Sequence, residues 1–119
     1  MGRKDMGRTR WMLREEEGEL VLSRPGRDRL DVCAATALPD AARARVAQQV
    51  RQDLWRALRR VRGFSPVVRV RREAGGLSLV AGGQVDGAVP RGLAARIALV
   101  LEDGGNRARW VARARRTRR

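Results

Sequence analysis

The sequence predicts an α+β fold of two layers, an antiparallel sheet of two hairpins with helices on one face, and three observations predict it. Apolar and polar residues alternate on both sides of two short turns, at residues 15–18 and 74–76. Between those hairpins, apolar residues recur at helical spacing over about 39–62. After the second hairpin come an almost wholly apolar stretch and then a basic one, each of helical length. The expected order is ββ(β)αββαα, with four or five strands.

The first ten residues are polar, and residues 1–9 are expected to be a flexible segment ahead of a single domain over 10–117, with 118–119 as a basic tail end. The chain opens Met1-Gly2, but Met6 stands where a myristoylation signal needs Ser or Thr. The Met-Gly-Arg of the start recurs at Met6-Gly7-Arg8, which marks the residues before Met6 as a dispensable extension. Trp11 and Leu13 then alternate with Met12 and Arg14, Glu15-Glu16-Glu17-Gly18 turns the chain, and Leu20 and Leu22 resume the alternation. This is a hairpin. Pro25-Gly26 breaks it, and Leu30 with Val32 suggests a short third strand.

Pro39 suits the first position of a helix, and Asp40 suits the positive end of its dipole. Ala42, Val46, Val50, Leu54, Ala57, Leu58 and Val61 form its apolar stripe, and Gly63 and Pro66 end it. In the second hairpin Val68 and Val70 face one way and Arg69 and Arg71 the other, with Leu77, Leu79 and Ala81 on the returning strand. Residues 82–87 are glycine-rich and read as a loop. Pro90 opens a helix that is apolar on nearly all sides (Leu93, Ala94, Ile97, Ala98, Val100, Leu101) and is expected deep in the core. Gly104-Gly105 stops it, and Asn106 caps a short basic helix over 107–116.

Composition removes several classes of function. A chain of 119 residues with 43% hydrophobic content holds one domain with its own core. The single cysteine, Cys33, has no internal partner, so an oxidising compartment is not indicated and a cytoplasmic location is expected. No apolar run approaches the roughly 20 residues that cross a bilayer, and the N-terminus lacks a signal-peptide core. Without any histidine, Cys–His catalysis and ordinary zinc sites are excluded. No separated carboxylate pair points to acid–base chemistry. The glycines of 82–87 lack the Gly-Lys-Ser/Thr ending of a phosphate loop, and the three adjacent glutamates of 15–17 lack the spaced ligands of a cation site. The protein is read as non-enzymatic, with no cofactor and no metal.

Charge is the unusual feature. Twenty-seven basic residues against thirteen acidic ones give +14, and only Lys4 is not arginine. A GC-rich genome accounts for arginine over lysine but not for the excess over acid. Residues 1–37 carry +1, 38–73 carry +7 and 74–119 carry +6. The excess therefore belongs to the later elements, where it raises encounter rates with anionic partners.

The polar face of the long helix gathers Arg45, Arg51, Arg56, Arg59 and Arg62, with Gln48 and Gln52 among them. Trp55 falls inside that face, with Arg51 and Arg59 one turn away on each side. It can stack a base between guanidinium groups, or pack under the C-terminal helix or the N-terminal arm with arginines resting on it. The last helix adds Arg109, Arg113 and Arg116, and its apolar side is thin (Ala108, Val111, Ala114). Arg69 and Arg71 offer a sheet face, though without the stacking aromatics of an RNA-recognition sheet. A helix-turn-helix reading of the last two helices is weak, because Arg113 stands where packing needs an apolar residue.

The expected function is nucleic-acid binding, to DNA or RNA, through these arginine-rich helix faces. The alternative is a protein-interaction module that meets an acidic protein surface. It would be an accessory subunit or an inhibitor, of phage or mobile-element origin, acting on a larger nucleoprotein machine. Membrane binding is not expected. A homodimer is not predicted, although an edge strand and outward-facing Val67 and Val80 would favour one.

Overall fold

The computed structural model describes residues 5–6 and 9–116, with side chains from 11 to 115. Two short strands, β1 (Asp5–Met6) and β2 (Thr9–Arg10), pair with each other antiparallel, so these parts of the segment expected to be flexible take up a ladder of their own. Residues 1–4, 7–8 and the tail from 117 lie outside the described residues. A five-stranded antiparallel sheet follows, from β3 (Met12–Glu16), β4 (Glu19–Ser23), β5 (Val32–Pro39), β6 (Phe64–Glu73) and β7 (Gly76–Val85). Its spatial order is β3-β4-β6-β7-β5. Three helices complete the fold: α1 (Arg43–Leu58), α2 (Leu93–Glu102) and α3 (Gly104–Arg116).

Both hairpins are the expected ones. Glu16 pairs with Glu19 across Glu17-Gly18, whose φ values of 49° and 82° match the mirror-image turn that suits right-twisted strands. Glu73 pairs with Gly76 across Ala74-Gly75. Alternation then sorts the faces. Leu22, Val68, Val70, Leu79 and Ala81 meet Val46, Val50, Leu54 and Leu58 of α1 and Ile97 and Leu101 of α2 in one core. All are essentially inaccessible, and each buried side chain of this size stabilises the fold by about 1.5–3 kcal/mol.

Several expectations are corrected. Pro39 does not open a helix; it ends β5, an eight-residue strand rather than a short one. Proline is tolerated there because β5 is an edge strand with no neighbour on its other side among the described residues. The long helix accordingly starts at Arg43. It stops at Leu58 because Val61 N–H turns back to the Leu58 carbonyl, a tightened turn leading to left-handed Gly63 at φ 72°. Residues 82–85 are not loop but the end of β7, where neighbouring strands come so close that a Cβ on Gly82 would strike the Val32 carbonyl oxygen and one on Gly83 the Ser65 carbonyl oxygen.

Only one side of α2 is buried, through Leu93, Ile97 and Leu101, while Leu99 is 72% exposed. Asn106 does not cap α3. Asp103 accepts its backbone N–H through Oδ1 at 2.9 Å, so the cap lies earlier and the helix begins at Gly104.

The face of the sheet away from the helices is partly covered. The β4–β5 connection crosses it, with Arg27 Nε donating to Ser65 Oγ and the Arg29 N–H to Gln84 Oε1. Val67 is therefore fully buried rather than available to a second copy, and Val80 is half-buried. Arg29 and the Val85 N–H also hold the Asp31 carboxyl well below its ordinary value, at about 2.

Candidate nucleic-acid interface

Burying Val46, Ala47, Val50, Leu54 and Leu58 fixes the rotation of α1, and with it which residues face water. Arg45, Gln48, Gln52, Trp55 and Arg59 follow one another at alternating spacings of three and four, so they form a single ridge along the helix. Every member is exposed, as is Arg62 beyond the helix end. The ridge from Arg45 to Arg59 is about 21 Å long. Trp55 is 43% exposed, which decides between the two environments its position allowed. Among the described residues Arg59 alone stands over it, with its guanidinium carbon 5.5 Å from the ring centroid. Arg45, Arg59 and Arg62 form no ion pair with the carboxylates of the described residues.

The other expected members are placed differently. Arg51 does not flank Trp55 on the open face; it leans inward to 4.6 Å from the Trp11 ring, which Arg24 approaches at 5.1 Å. Burial and the nearby Arg24 charge push its pKa below the ordinary arginine value. Arg56 and Arg109 both donate to Asp53, whose side chain is only 10% exposed. Arg56 is still 65% exposed and borders the ridge; Arg109 is held in the seam between α1 and α3. Arg113 is exposed, and the side chain of Arg116 lies outside the described ones.

Arg69 and Arg71 do not join the helix arginines. Alternation sends them through the opposite face of the sheet, where both approach Glu19, at 3.4 and 4.0 Å, and Arg71 also donates to the Glu17 carbonyl. The single positive field that the sequence suggested is thus divided; its longest open part is the α1 ridge, with Arg113 exposed on α3.

Two features were missed. Trp110 is completely buried, its Nε1 donating to Asp53 at 2.7 Å while Gln49 Nε2 donates to its carbonyl at 2.9 Å. The apolar triplet chosen for α3 was rotated off this residue by part of a turn, and a tryptophan in that segment was the available signal. The second is Arg96 on α2, whose Nη2 donates to the Ala57 carbonyl at 3.3 Å. It joins Arg59, Arg60 and Arg62 around the negative end of the α1 dipole. In sequence it looks like an interruption of an apolar run.

No family model, no curated protein and no solved structure matches this chain.

Proposed function

We propose that this is a non-enzymatic nucleic-acid-binding protein that holds an unpaired stretch of DNA or RNA along the outer ridge of α1. The observation that carries the reading is Trp55, left 43% exposed in a line of cations and amides while Trp110 is fully buried. An indole in water forgoes its own burial, and a base stacked on it recovers that surface at about 1–3 kcal/mol per base. The Arg59 guanidinium can leave the ring for a phosphate at little cost, because an exposed cation–π contact contributes only about 0.5–1 kcal/mol. Arg45 and Arg62 at the two ends then neutralise phosphates without first breaking an ion pair, and the released counterions drive association.

Gln48 and Gln52 lie between these cations and can donate to phosphate or base edges, which positions a strand without demanding one sequence. The strand is unpaired because only an unpaired base presents its face to the indole. The reading places the protein in the cytoplasm, with such polymers and a reduced Cys33.

Fluorescence anisotropy with labelled single-stranded DNA, single-stranded RNA and duplex DNA tests it. Trp55→Ala is expected to weaken single-strand binding about tenfold, with a smaller effect on duplex. Equal losses on all three probes would rule out stacking, and no binding to any of them would end the proposal.

A further inference from the structure

The edge of β5, open among the described residues, is the strongest feature that the α1 ridge does not use. In an antiparallel strand the N–H and C=O of one residue point to the same side, and the side alternates. The Val32 carbonyl oxygen lies against Gly82 and the Leu38 carbonyl oxygen against Gly76, both on β7. The even-numbered residues therefore bond inward to β7, and Cys33, Ala35 and Ala37 present their backbone groups at the free edge. Pro39, of the same parity, has no N–H to leave unpaired there.

Sheet edges are usually guarded by charged side chains. Val32–Pro39 contains none, in a chain that is 34% charged. The guard comes from α3 instead: Arg107 Nη2 donates to the Ala37 carbonyl at 2.6 Å and its Nη1 to Thr36 Oγ1 at 2.8 Å. This guanidinium occupies the place of a donor that an added strand would bring.

Beside that edge runs a groove of about 420 Å³ between the end of β5 and α3. Leu38, Pro39, Val111 and Ala112 give it apolar walls, and Arg107 and Arg115 stand along it. Arg115 is exposed and has no carboxylate partner among the described residues. Arg107 has, among the described residues, only Glu102, at 3.8 Å.

From this juxtaposition we infer that β5 and α3 form a second binding site, for an extended acidic segment of a partner protein that adds to the sheet as a sixth strand. Main-chain hydrogen bonds to Cys33, Ala35 and Ala37 supply affinity, and alternate side chains enter the groove. Carboxylates on the segment meet Arg115 and the Arg107 released from Ala37, which selects acidic segments over basic ones. A second copy of this chain fits poorly, because edge-to-edge pairing would bring the α3 arginines of both copies together in a protein of charge +14. The site is separate from the α1 ridge and does not rest on the nucleic-acid reading.

The test is selection of a displayed library of random peptides on the full-length, nuclease-treated protein. Enriched peptides are expected to alternate apolar residues with Asp or Glu. Their affinity should fall about tenfold with Ala35→Pro, which removes one edge donor, and by a similar factor with Arg115→Glu. Trp55→Ala should leave it unchanged. Should Ala35→Pro fail to fold, alternate N-methylation of the peptide reads the same contact on the unaltered protein: methyl groups in one phase abolish binding and in the other phase do not. Absence of enrichment, basic consensus peptides, indifference to both methylation phases, or a dimer paired through β5 would overturn the inference.

Discussion

Asp53 lies on the flank of α1, where Arg56, Arg109 and the Trp110 indole all donate to it. Replacing it with alanine leaves the Trp110 Nε1–H buried without an acceptor and two cations without their carboxylate. A loss of about 2–4 kcal/mol is expected in urea unfolding, with Asp53→Asn losing less. The helix and its polar face were legible at these positions because 3.6-residue periodicity shows in one sequence. The partner was not, since nothing local tells an aspartate on α1 that a tryptophan far along the chain will sit above it. Asp31 makes a pH-dependent prediction. Its folded carboxyl is held at about 2 against an ordinary 3.8, first by Arg29 and then by the Val85 N–H. The fold thus favours the charged form, so this contribution is complete above 3.8 and fades as pH falls toward 2. The stability difference between the natural protein and Asp31→Asn should be constant near neutral pH and shrink across that window, as urea melts at several pH values would register.

Among the elements, β7 and α2 show where local composition misleads. Gly82 and Gly83 look like loop residues, yet they lie in a central strand where backbones of β5 and β6 approach too closely for a Cβ. Gly82→Ala is expected to destabilise by about 3 kcal/mol or more, because the obstacle is the Val32 main chain and cannot turn aside. Hairpins and helix stripes depend on neighbours in sequence and were readable. Close approach between strands far apart in sequence was not. In α2 the near-continuous apolar run suggested complete burial, but the sheet covers only the Leu93, Ile97 and Leu101 side. Leu99→Gln should accordingly change stability by less than about 0.5 kcal/mol, whereas Ile97→Ala should lose about 2–5 kcal/mol.

For the molecule as a whole, the partition of charge along the sequence puts the excess on the later elements, but it did not show how the fold would divide them. One-residue alternation in β6 carries Arg69 and Arg71 to the far face, and Asp53 engages Arg56 and Arg109. Exposed Arg113 and Arg115 stay on α3, and on α1 there remains a ridge of Arg45, Gln48, Gln52, Trp55 and Arg59, extended by Arg60, Arg62 and Arg96 at the end of the helix. No helix among the described residues is long and apolar enough to cross a membrane, so this ridge is not a flank of a spanning helix. The function proposed for it depends on phosphate neutralisation, which responds to salt in a way that few other contacts do. The most direct measurement is the slope of log affinity against log salt for a labelled single strand, in the natural protein and in a variant with Arg45, Arg59 and Arg62 changed to Gln. A steep negative slope is expected, flattening by about 0.7 for each phosphate contact removed. An unchanged slope in the variant would contradict it.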